Sequence, residues 1–367
     1  ETCKSGTGGA GAGQESVFDW LPRNSVAKRA NVHDRQDCHF SAIPERSSAV
    51  TRILKADAQG VAAAAEVLAA GGLVAFPTET VYGLGADASN PTAVARIYAA
   101  KGRPAFNPLI AHVSDVAAAQ REAALSTKAL ALAAHFWPGP LTLVVPVAPT
   151  GCVCDLARAG LPSIALRAPA HPAAQALLAA FGRPVAAPSA NRSGHVSPVT
   201  AQHVAADLSG KVDLILDGGR TPAGLESTIV SFTGSEPTLL RPGALPRADI
   251  EAMLGAHLAA PTSAAIVAPG MTAAHYAPAA YLRIDAQSLA QDEYGLDFGG
   301  QLSAHAPTGR IVCDLSPAGD MIEAAANLFA ALRDIDARGL AKIAVAPIPD
   351  EGIGEAINDR LRRAAVR

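Results

Sequence analysis

Apolar residues fall into short runs and longer one-sided stripes that alternate from about Ala49 to the C-terminus. Asp57 can cap a helix over 58–70 that Gly71-Gly72 ends, because an aspartate oxygen accepts a free first-turn amide and glycine tolerates the left-handed exit. Leu73 to Phe76 reads as a buried strand running into Pro77-Thr78-Glu79-Thr80. Asn90-Pro91 opens a helix that reaches Ala100, with proline at the first helical position where its missing N–H costs nothing. Apolar runs at 109–113, 141–145, 164–167, 185–187, 214–216 and 228–232 are bounded by Gly, Pro or charge and read as strands. Helices fit 172–181 and 198–208, each opened by a proline. The interleaving is irregular. The expected fold class is therefore α/β in the α+β sense, a twisted mixed β-sheet with helices on it rather than a strict βαβ alternation.

The pattern changes near residue 259. Residues 259–280 are rich in Ala, Pro and Ser, which is linker composition. Beyond it, 310–315 reads as a strand and Asp320 with Glu323 as a capping box. The helix that follows carries Met321, Ala325, Leu328, Leu332 and Ile335 on one face, reads as a core element and ends at Gly339. A strand over 342–346 and a helix over 354–365 complete a smaller Rossmann-like unit. Residues 284–310, rich in Gly, Ala and Asp, are expected to be poorly ordered. The implied organisation is a tail over 1–49, a catalytic domain over 50–258, a Pro-rich linker over 259–280 and a C-terminal domain over 281–367.

Composition narrows the function classes. Of 367 residues, 49% are hydrophobic and 17% charged, which is enough apolar material for buried cores and excludes a wholly disordered chain. No apolar stretch reaches the length of about eighteen residues that a membrane span needs. A net charge of -3 argues against coating nucleic acid by bulk charge. The five cysteines are scattered, with Cys152 and Cys154 as the one close pair, so neither a disulfide framework nor a metal site is expected and the default compartment is the cytoplasm. Residues 1–49 open without methionine, begin with a Gly/Ser/Thr-rich run and lack a signal-peptide pattern; they read as a disordered or non-native tail. Gly6, Gly8 and Gly11 match a dinucleotide fingerprint with neither strand before nor helix after it. Gly83-Leu84-Gly85 repeats part of that pattern inside what reads as a polar turn.

Four segments place polar or basic groups beside strand ends, where open α/β sheets bind ligands. They are Pro77 to Gly85; Lys101-Gly102-Arg103-Pro104 with Asn107 to His112; Pro188-Ser189-Ala190-Asn191-Arg192-Ser193-Gly194; and Gly224 to Val230 with Leu240-Arg241-Pro242-Gly243. Lys101 and Arg103, read as an extended segment, would point the same way toward paired phosphate oxygens. The Ser189 turn can offer hydroxyl, amide and backbone donors to an anion. Each segment alone also fits an ordinary hydrogen-bonded or solvated turn.

Taken together, the segments PTETVYGLGADA (77–88), KGRP and NPLIAH (101–112), WPGPLTLV (137–144), SIALRAPAH (163–171), APSANRSGHVSP (187–198), LESTIV (225–230), LRPGA (240–244) and HYAP (275–278) resemble the threonylcarbamoyl-AMP synthases of the YrdC-domain family, in the long form with a C-terminal extension. The resemblance spans residues 50 to 367. It implies synthesis of threonylcarbamoyl-AMP and pyrophosphate from L-threonine, bicarbonate and ATP, for threonylcarbamoylation of a tRNA adenosine beside the anticodon by downstream transfer machinery. It carries over Lys101 and Arg103 as catalytic cations. Thr80, His112, Arg167, Ala187 and Ser227 would surround threonine. Arg103, Asn107, Ser163, Ser189, Asn191, Ser197, Arg241 and Tyr276 would bind ATP, Tyr276 as part of a linker lid. Mg²⁺ is expected to accompany ATP without dedicated protein ligands, and His135, His195, His203 and His257 receive no role. The C-terminal unit, lacking a phosphate loop or charge cluster, is expected to steer lid closure or partner docking rather than chemistry. Neither a membrane nor stable nucleic-acid binding is implied. Competing readings are an RNA-binding module acting on tRNA or ribosomal RNA and a domain using another carbamoyl donor.

Overall fold

The structure, a computed structural model, describes residues 50–261, 267–271, 276–306, 308–309 and 311–366. Fourteen strands among these residues form two sheets. The larger sheet contains β1 (Arg52–Lys55), β2 (Val74–Phe76), β3 (Gly83–Asp87), β4 (Ile110–His112), β5 (Leu141–Pro146), β6 (Ser163–Arg167), β7 (Val185–Ala186), β8 (Leu214–Asp217), β9 (Thr228–Ser231) and β10 (Thr238–Arg241). Their order is β1-β8-β2-β3-β7-β4-β6-β5-β9-β10. Parallel pairs (β1 with β8, β2 with β8, β4 with β6, β5 with β9) are mixed with antiparallel ones. The sheet is the mixed one that the irregular interleaving predicts.

Period-two alternation puts successive side chains of a strand on opposite faces. In β2, Val74 and Phe76 pack with Leu68 and Leu177 of helices Ala58–Ala69 and Pro172–Phe181. Their neighbour Ala75 joins the opposite core with Ile97 of helix Pro91–Lys101 and Leu132 of helix Thr127–Phe136. The predicted helix signals act as capping chemistry requires. Asp57 accepts the Gly60 amide at 2.9 Å, and Asn90 accepts the amides of Thr92 and Ala93.

Gly83–Asp87, read from sequence as part of a polar turn, is instead the buried strand β3. Its glycines are a packing requirement, since a Cβ on Gly85 would lie 2.8 Å from the Phe76 ring and 2.9 Å from Val185. The helix expected over 198–208 begins at Ala201, because Thr200 rather than Pro198 caps it through the His203 amide. Helices Val116–Glu122, Thr127–Phe136 and Arg247–Leu254 went unread among alanine-rich or charged runs without a clear period.

The smaller sheet is all-parallel: β11 (Tyr281–Arg283), β12 (Tyr294–Asp297), β13 (Val312–Asp314) and β14 (Lys342–Val345), in the order β11-β14-β12-β13. β12 corrects the expectation of poor order over 284–310: its four residues are buried and it is an inner strand of the sheet. Arg310, expected to start a strand, lies outside the described residues. Helix Met321–Ala337 buries the predicted stripe of Ala325, Leu328, Leu332 and Ile335. Asp320 accepts the Ile322 and Glu323 amides, and the box closes through Ser316, whose hydroxyl accepts from the Asp320 amide and donates to Glu323. The apolar core around this sheet extends to Val81, Val196, Val199 and Leu225 of the larger unit, so both sheets share one packed boundary. At that boundary a Cβ on Gly224 would fall 2.6 Å from the backbone of Ala325 and Ala326. No helix among the described residues is long and apolar enough to cross a membrane.

Candidate active site

Sheet order does what sequence order cannot: it brings the strand-end segments to one cleft. The turn after β2 supplies Thr78, Thr80 and Val81. The parallel register of β4 with β6 sets His112 beside Arg167. The chain leaving β7 supplies Ala187, Pro188 and Ser189, the residues before β9 supply Glu226 and Ser227, and β10 ends in Arg241. Arg103 lies on the loop after helix Pro91–Lys101, and Pro269, Gly270 and Tyr276 come from beyond residue 259. The cleft encloses about 520 Å³ of unfilled space, its open mouth included.

One end is built from hydroxyls and a neutral ring. The Thr78 hydroxyl donates to the Val81 carbonyl at 2.7 Å, which uses its single proton. The 2.7 Å contact between the Thr78 and Thr80 hydroxyls is then a donation by Thr80, whose lone pairs stay available to the cleft. Burial, and next the Arg167 charge, pull His112 down to about 3, so its imidazole is neutral at physiological pH. Its Nδ1 is buried without a hydrogen-bond partner among the described residues. The Ser227 hydroxyl lies 2.7 Å from that of Thr142. Arg167 is anchored by Glu79 at 2.7 Å and by the Gly139 carbonyl at 3.3 Å, which fixes the plane of its fork. The Ala187 amide donates to the Ile110 carbonyl, leaving its own carbonyl as the backbone group it can offer.

The other end holds charge in a different state. Among the described residues, Arg103 donates only to the carbonyls of Asn107 at 3.2 Å and Pro108 at 3.0 Å. Arg241 donates to the Ser227 carbonyl at 2.7 and 3.2 Å, to the Ser227 hydroxyl and to the Pro269 carbonyl. Both are buried, and neither forms a salt bridge among the described residues. Burial is the largest influence on Arg103 and brings it down to about 10, still protonated at neutral pH. Two buried guanidiniums without a carboxylate partner among the described residues are costly to an empty protein, and such a pair suits a multivalent anion.

Of the residues carried over from the resemblance, Thr80, Arg103, His112, Arg167, Ala187, Ser189, Ser227, Arg241 and Tyr276 line this cleft. Lys101, Asn107, Ser163, Asn191 and Ser197 are not among its lining residues. The extended Lys101-Gly102-Arg103 geometry is corrected, since Lys101 is the last residue of a helix and Gly102 is its left-handed cap. The Lys101 ammonium donates to the Ser189 and Asn191 carbonyls, at 2.5 Å each, and clips that loop to the helix. Burial first, then the Arg103 charge, push the Lys101 pKa well below its ordinary value. Asn107 and Asn191 each bury an amide oxygen that has no partner among the described residues, and Ser163 starts β6 opposite Pro146. His275 lies outside the described residues. Tyr276 has its ring fully buried, stacked 5.5 Å from Phe329.

Two charged residues were missed. Glu226 lines the cleft, accepts the Ser197 hydroxyl at 2.5 Å, and accepts from Arg360 of helix Gly354–Ala365 at 2.9 Å. Burial favours the neutral carboxyl, but the Arg360 and Arg241 charges and the Ser197 hydroxyl outweigh it and hold Glu226 below the usual carboxylate range. The sequence signal for Arg360 was its place on the buried face of its own helix, between Ile357 and Ala364. Arg360 is not itself among the residues lining the cleft, but it contacts one that is, so the C-terminal unit, expected to steer lid closure or partner docking, places one charge against the cleft wall. Among the described residues no group of three or more His, Cys, Asp or Glu is arranged to hold a metal ion.

The chain is similar to known proteins over most of its length. Residues 66–243 match a family model described as "Telomere recombination", and residues 245–366 match one described as "Threonylcarbamoyl-AMP synthase, C-terminal domain". The chain is 41% identical over 332 residues to the threonylcarbamoyl-AMP synthase of Bacillus subtilis, covering 86% of this chain and 96% of that one. It is 41% identical to the enzyme of the same name from Pyrococcus abyssi over 317 residues, 82% of this chain and 93% of that one. The crystal structure of P. abyssi Sua5 complexed with L-threonine superposes with a TM-score of 0.77 at 38% identity, covering 86% of this chain and 97% of the other.

Proposed function

The chain belongs to the threonylcarbamoyl-AMP synthase family, and from that premise we propose how its cleft makes threonylcarbamoyl-AMP and pyrophosphate from L-threonine, bicarbonate and ATP. The threonine amine and bicarbonate combine to a carbamate with loss of water. A carbamate oxygen then attacks the α-phosphorus of ATP, and the bond to the β-phosphate oxygen breaks to release pyrophosphate.

The observation that carries this reading is the contrast between the two ends of one cleft. At the hydroxyl-lined end, the acceptor face of Thr80 suits the threonine hydroxyl or ammonium, and the remaining donors of Arg167 suit its carboxylate. Neutral His112 adds no charge that would repel an ammonium. At the other end Arg103 and Arg241, with the Ser189 hydroxyl, meet the polyphosphate, whose oxygens replace the carbonyls as their strongest partners. Preorganised charge of this kind is the main catalytic contribution in transfer at phosphorus. Lys101 acts at one remove, fixing the Ser189–Asn191 loop against which the phosphates lie. Tyr276 and Pro269 close the cleft from the linker side and keep water from a labile carbamate. A Mg²⁺ ion would travel with the phosphates and neutralise part of their charge, since Glu226, the one carboxylate among the described residues lining the cleft, is already committed to Ser197 and Arg360. The labile product would pass to downstream machinery that modifies tRNA.

No observation favours an RNA-binding role for this cleft, since backbone binding needs cations displayed on an open face and Arg103 and Arg241 are buried. The test is pyrophosphate release by the full chain with all three substrates. Release that requires threonine supports the reading, and release independent of threonine, or none, rejects it.

A further inference from the structure

Arg360 stands on the last described helix, inside the apolar stripe of Ile357, Leu361 and Ala364, with no exposed surface. It leaves its own unit to touch two residues that line the cleft, Glu226 and Tyr276, and the backbone of Pro242. Its Nε donates to Glu226 Oε2 at 2.9 Å. Its Nη1 donates to the carbonyl of Pro242, the residue after Arg241, at 2.9 Å and to Asp359 at 2.7 Å. Its guanidinium carbon lies 5.2 Å from the centre of the Tyr276 ring. The other Glu226 oxygen accepts the Ser197 hydroxyl. Among the described residues, Arg360 Nη2 is buried with no hydrogen-bond partner.

Glu226 is the element of the cleft that needs explaining. An ionised carboxylate beside Arg241 repels phosphate and competes with it for the guanidinium. In this structure it does neither directly, because one oxygen is engaged by Arg360 and the other by Ser197, and no Glu226–Arg241 salt bridge forms. Resting on the ATP-binding reading above, we propose that Arg360 is a positioning residue for the nucleotide end of the cleft: it holds Glu226 away from Arg241, and so keeps Arg241 available to polyphosphate, while bracing the Tyr276 ring. A residue of the C-terminal unit thereby completes a site whose ligand-facing groups belong to the other unit and the linker. An Arg360 that served only as glue between the units would affect both substrates alike.

The test uses the full-length chain and the variants Arg360→Met, Arg360→Lys, Glu226→Gln and Arg360→Met/Glu226→Gln. KM for ATP and for threonine is read from threonine-dependent pyrophosphate release, and binding of a non-hydrolysable ATP analogue is read by calorimetry. Arg360→Met frees Glu226 to pair with Arg241, so the ATP KM and the analogue Kd should rise about 10-fold or more, with the threonine KM changed less than about 3-fold. Adding Glu226→Gln removes the competing charge and should recover most of that loss, whereas two independent structural lesions would accumulate. Arg360→Lys keeps a charge but loses the fork, and should fall between wild type and Arg360→Met. An unchanged ATP KM in Arg360→Met, an equal rise in both KM values, or no recovery in the double variant overturns the proposal. Should Arg360→Met fail to fold, Arg360→Lys with and without Glu226→Gln asks the same question. If wild type releases no threonine-dependent pyrophosphate, the functional reading fails, and the analogue Kd values, which need no turnover, still decide whether Arg360 acts through Glu226.

Discussion

The two sheets treat buried charge in opposite ways. At the end of β12 in the small sheet, Asp297 has no exposed surface, yet its oxygens are met in full. One accepts the amides of Phe298 at 2.8 Å and Leu302 at 2.9 Å, and the other accepts the Ser303 amide at 2.8 Å and hydroxyl at 2.7 Å. At the cleft of the large sheet, Arg103 and Arg241 are also buried and, among the described residues, have only carbonyls and one hydroxyl for partners. A charge saturated by its own loop shapes that loop. A charge held in place without a counterion is costly to the protein alone, and on the function proposed above the polyphosphate supplies what is missing. Glu226 lies between these cases, a carboxylate inside the cleft that is neutralised from the neighbouring unit.

The contrast predicts opposite outcomes for removing each kind of charge. Arg103→Met or Arg241→Met should lower threonine-dependent pyrophosphate release by roughly 10²- to 10³-fold, because a donor aimed at developing phosphate charge is lost. Their unliganded stability should stay within about 1 kcal/mol of wild type, since an unpaired buried charge leaves along with its hydrogen bonds. Thermal melts beside steady-state rates check both halves, and a large loss of stability with little loss of rate would make these arginines structural. Asp297→Ala should do the reverse and cost about 3 kcal/mol by stranding buried amides, measured by urea unfolding. A neutral effect there would show that saturation is no sign of a structural role.

How much of this was legible in the sequence depends on the range of the signal. Asn90, Pro91 and Gly102 bound a helix by local chemistry, and the stripe on helix Met321–Ala337 shows its buried face by spacing alone. Gly83–Asp87 misleads because glycines that suit a turn also suit a strand wedged between Phe76 and Val185, and only the neighbours decide. The convergence of Thr80, His112, Arg167, Ser227 and Arg241 rests on strand order, which no local pattern encodes; the motif resemblance grouped these residues before the structure did. Lys101 and Arg103 share a motif but not a destination, because the left-handed residue between them turns the chain. Arg360 escaped because its partner, Glu226, is 134 residues away in sequence.

Smaller effects sharpen the picture of the neutral end. His112 is held near 3, mainly by burial, against an unfolded value of 6.5. Below pH 6.5 the unfolded chain takes up a proton that the native site refuses, so native stability falls as pH drops from about 6.5 toward 3, by up to about 1.4 kcal/mol per pH unit from this group. His203, pulled down to about 4 chiefly by burial, acts in the same direction. His112→Asn should flatten the fall of Tm between pH 7 and 5, and an unaltered slope would mean that His112 is protonated in the native state. Thr80→Val should raise the threonine KM about 10-fold by removing an acceptor that a substrate donor needs, with a much smaller change for ATP. Equal losses for both substrates would remove Thr80 from the threonine niche.

The most direct measurement is a crystal structure of the full chain with L-threonine and a non-hydrolysable ATP analogue. The account predicts phosphate oxygens within hydrogen-bond distance of both Arg103 and Arg241, with threonine between Thr80 and Arg167 at the opposite end of the same cleft. Phosphates bound elsewhere, with both guanidiniums still resting on their carbonyls alone, would contradict it.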